Sequence, residues 1–204
     1  MTLAARLQAQ GLTLLGQARD GAAFVALLGP DEPGFWPLFS ASREYGNGAP
    51  DPLDRWSKRV IGTLANELGV EAVFPSDGPP YPPFLQWARD SGRCHVSPVG
   101  LLVHDRAGLW LSFRGALLLP RALEMPRAQP SPCIGCARPC LAACPAGALG
   151  RAPYDVAACH AWLDQPAGDA CMEAGCAVRR ACPVGAAYGR VAAQSAFHMK
   201  AFHQ

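Results

Sequence analysis

Four cysteines fall within twelve positions in the stretch CIGCARPCLAACPAGA at 133–148. The spacing is Cys133-x2-Cys136-x3-Cys140-x3-Cys144-Pro145. A second set follows as Cys171-x4-Cys176-x5-Cys182-Pro183, with Cys159 lying between the two. Both sets close on one local word, CPAGA at 144–148 and CPVGA at 182–186. Thiolates are soft donors, and cysteines this dense point to zinc or to iron–sulfur chemistry. A [4Fe–4S] cube takes four thiolates, so eight cysteines fill two cubes with none spare. Structural zinc is the alternative, although the paired CxxC knuckles of zinc ribbons are absent and the doubled CPxGA word is foreign to them. Disulfides are the third choice and would need an oxidising compartment. The ninth cysteine, Cys94, stands apart beside His95. Adjacent residues on an extended chain face opposite ways, so a buried thiol is favoured there over a nucleophile with its base.

Something must hold these cysteines in place. The chain has 204 residues, half of them apolar and 17% charged, which suits one or two globular domains. A net charge of +2 without a basic run argues against nucleic acid, leaving only the local pair Arg179-Arg180. No stretch is apolar enough for a membrane helix. MTLAARLQAQGLTLLGQARDG carries polar residues throughout and reads as a helix and a strand rather than a signal peptide. A reduced, cytoplasmic protein is expected.

Residues 1–126 alternate strand and helix patterns. LTLLGQA and AAFVALLG flank an Asp20-Gly21 turn, which predicts a β-hairpin. DPLDRWSKRVIGTLANELGV is the clearest helix: Asp51 can cap it, Pro52 suits its first turn and Gly69 can end it. Leu53, Trp56, Val60, Ile61, Leu64 and Leu68 follow its period. EAVFP reads as a strand and FLQWARDSG as a short helix. GLLVHDRAGLWLSFRGALLLP (100–120) predicts two strands joined at His104–Gly108. From 127 to 204 the text is small residues, cysteine, proline and glycine, with a helix expected around 191–202. That part has too few large side chains for a core of its own.

The cysteine pattern resembles two-cluster ferredoxins, in which three close cysteines hold one cube and the fourth, before proline, serves the other. Applied here, that exchange gives one cube Cys133, Cys136, Cys140 and Cys182. The other takes Cys144, Cys159, Cys171 and Cys176. The gaps depart from the ferredoxin spacing at x3 before Cys140 and at x4 and x5 in the second set, so Cys159 is the least constrained ligand. Segment 133–183 also resembles the ferredoxin module of the epoxyqueuosine reductases. Segments 23–30, 51–56 and 100–120 are similar to the cobalamin-processing family of methylmalonic aciduria and homocystinuria type C. The resemblance implies an α+β protein: a small nitroreductase-like α/β domain (1–126) followed by a ferredoxin-like two-cluster domain (127–204).

It also implies a corrinoid as a possible second cofactor, with His104, Trp110 and Arg114 as candidate contacts. The bland reading of these is equally open: a turn histidine, and a strand whose faces are Leu109, Leu111, Phe113 and Trp110, Ser112, Arg114. Tyr154 and Trp162 are expected to shield the cysteines from water. The function expected is one-electron transfer through two [4Fe–4S] clusters between a redox partner protein and an acceptor, with cobalt reduction of a corrinoid as the specific enzymatic form. A simple carrier with a ligand-free docking domain, or a structural iron–sulfur adaptor, are the other classes.

Overall fold

The computed structural model describes residues 2–150 and 153–203. In chain order it begins with α1 (Leu3–Gln8), β1 (Leu12–Asp20), β2 (Ala23–Pro30), α2 (Phe35–Ser40), α3 (Arg43–Gly46), α4 (Pro52–Leu68), β3 (Glu71–Val73) and α5 (Phe84–Asp90). Next come β4 (Cys94–Val96), β5 (Leu102–His104) and β6 (Gly115–Leu119). After them follow α6 (Val156–Leu163), α7 (Asp169–Ala174), α8 (Ala177–Arg180), α9 (Pro183–Ala186) and α10 (Ala192–Phe202). Two compact units result: Met1–Cys94 with Ser112–Ala128, and His95–Leu111 with Gln129–Gln204. The expected division at 126/127 therefore misses one segment. Residues 95–111 leave the first half and join the cysteine-rich unit.

The first unit is built on a sheet of order β1-β2-β6-β3, antiparallel at each pairing. This mixture of helix and antiparallel strand is compatible with an α+β protein. The β1–β2 hairpin turns where Asp20-Gly21 predicts, with Asp20 opposite Ala23 and Gly21 at φ 56°. β2 runs from half-buried at its start to fully buried, as a central apolar strand should. Helix α4 packs against β3 and β6, burying Val60, Ile61 and Leu64, while Trp56 meets Phe35 and Phe39 of α2 edge-on. Gly69 caps the helix at φ 65°. Asp51 corrects the expected cap. It sits left-handed at φ 50° and its side chain accepts no capping bond, because side-chain capping needs an extended residue there. Arg55 instead reaches back to the carbonyls of Pro50 and Ala49 at 2.8 and 3.1 Å.

The expected hairpin at 100–120 is also corrected. β5 pairs with β4, whereas β6 joins the large sheet. His104 and Gly108 exchange backbone bonds of 3.0 and 2.9 Å, closing a tight loop that turns the chain before a second strand can pair. In the second unit the elements are short and the cysteines belong to the core. One cluster joins Val99, Val103, Leu109, Leu149 and Val178 to Cys140 and Cys182. Another joins Leu163 and Met199 to Cys171. α10 packs against α7, in the place expected for the terminal helix. Among the described residues, no helix is long and apolar enough to cross a membrane.

Candidate metal centres

Cys133, Cys136, Cys140 and Cys182 line one open hollow. Each is delivered by a different local device. Gly135 at φ 75° bends the chain between the first two. Arg138, at φ 55°, starts the 3-10 turn Pro139–Ala142 that carries Cys140 inward. In this left-handed conformation the Arg138 N–H donates to the Cys136 sulfur at 3.3 Å. Backbone N–H groups aimed at sulfur offset negative charge there. Cys182 precedes α9, whose first residue is Pro183, a position where the missing N–H is not needed.

The loop closed by Gly108 completes the wall. A Cβ on Gly108 would lie 2.3 Å from the Gly185 nitrogen and 2.9 Å from the Cys182 sulfur. Only glycine fits, so the second CPxGA word is held against the 95–111 segment. Burial pushes the Cys133 and Cys140 thiols up, and neighbouring thiolates push them further, Cys136 and Cys182 at Cys133, Cys133 and Cys182 at Cys140. A bound cation would offset the charge that burial disfavours at Cys133 and Cys140.

The second quartet draws on other elements. Cys159 lies on α6, Cys171 on α7, and Cys176 just before α8. Cys144 sits in a turn closed by a 3.1 Å bond from the Gly147 N–H to its carbonyl. Burial raises the Cys159 thiol, its hydrogen bond with Tyr154 opposes this, and Cys176, Cys144 and Cys171 raise it further. The Tyr154 hydroxyl is pushed up by burial and by that same bond. Arg179 donates to the Leu109 carbonyl, and its charge, weakened by burial, is supported by Cys176 and Tyr154. The Trp162 indole N–H is enclosed and has no partner among the described residues. A donor left so commonly costs about 1–3 kcal/mol.

Among the described residues, no group of three or more His, Cys, Asp or Glu could hold a single metal ion as placed. A lone zinc needs its sulfurs about 2.3 Å from one centre. A four-iron cube would distribute its four thiolates over four metal atoms. None of the eight cysteines from Cys133 to Cys182 is in a disulfide.

The remaining candidates lie elsewhere. His104 is fully buried, and its Nδ1 accepts the N–H groups of Arg106 and Ala107 at 3.0 and 3.1 Å. An Nδ1 that accepts twice carries no proton, so its 3.2 Å approach to Asp105 is not an ion pair. This histidine fastens its own loop. Residues 109–114 are turn and coil rather than the expected two-faced strand. Trp110 is buried in the second unit beside Ala107 and Tyr188, with Arg190 over its ring at 5.4 Å. Arg114 belongs to the first unit. Burial lowers its pKa to about 10, its Nη2 donates to the Ser112 hydroxyl at 2.8 Å, and its enclosed Nε has no partner among the described residues. Cys94 is buried, and the His95 ring meets the Gln129 carbonyl at 3.1 Å. Arg179 and Arg180 both donate to backbone carbonyls, of Leu109 and Gly175.

Sequence reasoning missed Gly108, Ser97 and the Arg138 N–H as parts of the first site. Only the glycine carried any signal, as a turn residue. No family model matches the chain, and no curated protein and no solved structure matches it.

Proposed function

We propose that the protein is a one-electron carrier that binds two [4Fe–4S] clusters. Cys133, Cys136, Cys140 and Cys182 would hold one, and Cys144, Cys159, Cys171 and Cys176 the other. The observation that carries this is the single hollow shared by three clustered cysteines and the distant Cys182. A bound cube supplies a one-electron couple without needing a proton. The chain's own contribution is to present four thiolates, to turn the Arg138 N–H onto a sulfur and to enclose the site with Val103, Leu109 and Val184. Exclusion of water strengthens each of those electrostatic contacts. Thiolate ligation of this kind suits the reducing cytoplasm.

A corrinoid acceptor is the narrower form of the proposal and rests on the likeness of segment 100–120. The interior roles of His104 and Trp110 give it no side-chain support. Anaerobic purification followed by iron and sulfide analysis, with EPR after dithionite, tests the main reading. About eight irons and eight sulfides per chain are expected. Zinc in their place, or iron without acid-labile sulfide, overturns it. Adding cob(III)alamin to the reduced protein tests the acceptor, and an unchanged visible spectrum overturns that part alone.

A further inference from the structure

Ser97 lines the hollow that holds Cys133, Cys136, Cys140 and Cys182, yet it lies 36 residues before the nearest of them. Its backbone is fully engaged. The N–H donates to the Leu101 carbonyl at 2.8 Å, and its own carbonyl accepts from the Gly100 N–H at 3.0 Å. These bonds close a tight turn after β4 and hold the backbone of Ser97 in place. The residue is only 5% exposed, and its hydroxyl is enclosed with no hydrogen-bond partner among the described residues. A buried hydroxyl without a partner is unfavourable and rare in native structures. Among the other lining residues Pro98, Val103, Leu109 and Val184 carry no side-chain acceptor, which leaves the four cysteine sulfurs. A ligated cluster would turn those sulfurs into charged acceptors and add its own sulfides to them.

We propose that the Ser97 hydroxyl donates a hydrogen bond to a sulfur of the cluster in the first quartet and raises its reduction potential. The proposal rests on the two-cluster reading above. A donor at sulfur stabilises the more negative, reduced state, so it makes the site easier to reduce. Ser97 is a positioning and tuning residue rather than a ligand. Its place in the 95–111 segment also explains why that segment belongs with the cysteines: it brings both Gly108 and this hydroxyl to the wall.

The test compares the anaerobically purified full chain with Ser97→Ala and Ser97→Thr. In Ser97→Ala, one of the two reduction steps should move to more negative potential while the other stays. In Ser97→Thr, which keeps the hydroxyl, both steps should stay near the parent values. Resonance Raman provides a readout independent of activity: the Fe–S stretches of the parent should shift on exchange into D2O, and that part of the shift should vanish in Ser97→Ala. Should Ser97→Ala lose iron and Ser97→Thr retain it, the hydroxyl is again the cause. Equal behaviour of the two variants, whether both match the parent or both lose iron, overturns the proposal. A parent protein without iron and sulfide fails earlier, and that result overturns the two-cluster reading itself.

Discussion

The two cysteine quartets share a ligand type and a closing word, yet their surroundings differ in kind. The first lies against aliphatic side chains and prolines, with a backbone N–H at Cys136, the Ser97 hydroxyl and the exposed Arg138, whose charge favours the Cys133 thiolate, as its polar neighbours. The second has a phenol bonded to Cys159 and a guanidinium supported by Cys176. A cation beside sulfur favours the more reduced, more negative state, and the partly buried Arg179 is screened less by water than the exposed Arg138. The difference teaches that repetition in sequence need not produce equivalent sites. On this basis the second site should accept the first electron.

The largest effect expected would break the comparison outright if it failed. Cys182→Ala removes a wall residue from the first quartet although it lies at the end of the second cysteine set. Cys144→Ala does the reverse. Each should lower iron from about eight to about four per chain, and the two variants should lose different EPR signals. If Cys144→Ala and Cys133→Ala lose the same signal, the exchange between the two sets is wrong.

Next come the glycines of the two halves. Gly108→Ala places a Cβ against the Gly185 backbone and the Cys182 sulfur while forcing alanine to hold φ 55°. Left-handed strain and overpacking together cost about 3 kcal/mol. Gly147→Ala holds φ 63° in open space and costs about 1 kcal/mol from strain alone. In thermal melts of the loaded protein these correspond to falls of roughly 6–12 °C and 2–4 °C. Gly108→Ala should also lower the iron of the first site, and equal losses from both variants would remove Gly108 from its wall.

Much of the first unit is readable from local pattern. The period of Leu53, Trp56, Val60, Ile61 and Leu64 predicts α4, and Asp20-Gly21 predicts the hairpin, because both signals act within a few residues. The proximity of Cys182 to Cys133, Cys136 and Cys140 is what the resemblance to two-cluster ferredoxins implies. The destination of 95–111 is not. LLVH is equally apolar in either unit, and the pairing of β5 with β4 depends on where Gly108 can approach another backbone. Ser97 has no spacing signal, since its relevance comes from a contact made across 36 residues of chain. Asp51 shows a smaller limit: its residue type suits a cap, but the left-handed backbone withdraws the side chain from that role.

Arg179→Gln sharpens the electrostatic side of the comparison. Arg179 is partly buried, so removing its charge should make the second site harder to reduce by on the order of 1 kcal/mol, roughly 40 mV for one electron. Glutamine keeps a donor for the Leu109 carbonyl, which limits structural damage. A redox titration should show one step moving toward the other, with iron content unchanged. A shift of both steps by the same amount would mean that Arg179 acts on the whole unit rather than on one quartet.

Tyr154→Phe carries the smallest effect. The ring, stacked on Phe202 with centroids 6.4 Å apart, is retained, and only the hydroxyl bonded to Cys159 is lost. Tyr154 is 39% exposed, so water replaces part of what the hydroxyl supplied. The net change should be about 0.5 kcal/mol, roughly 20 mV toward more negative potential at the second site. Its direction matches that of Arg179→Gln, because both groups oppose negative charge at the same sulfurs. Water should replace the phenol more readily than it replaces the Ser97 hydroxyl, which is enclosed in the first hollow. A larger shift from Tyr154→Phe than from Ser97→Ala would therefore reverse the expected order of the two hydroxyls.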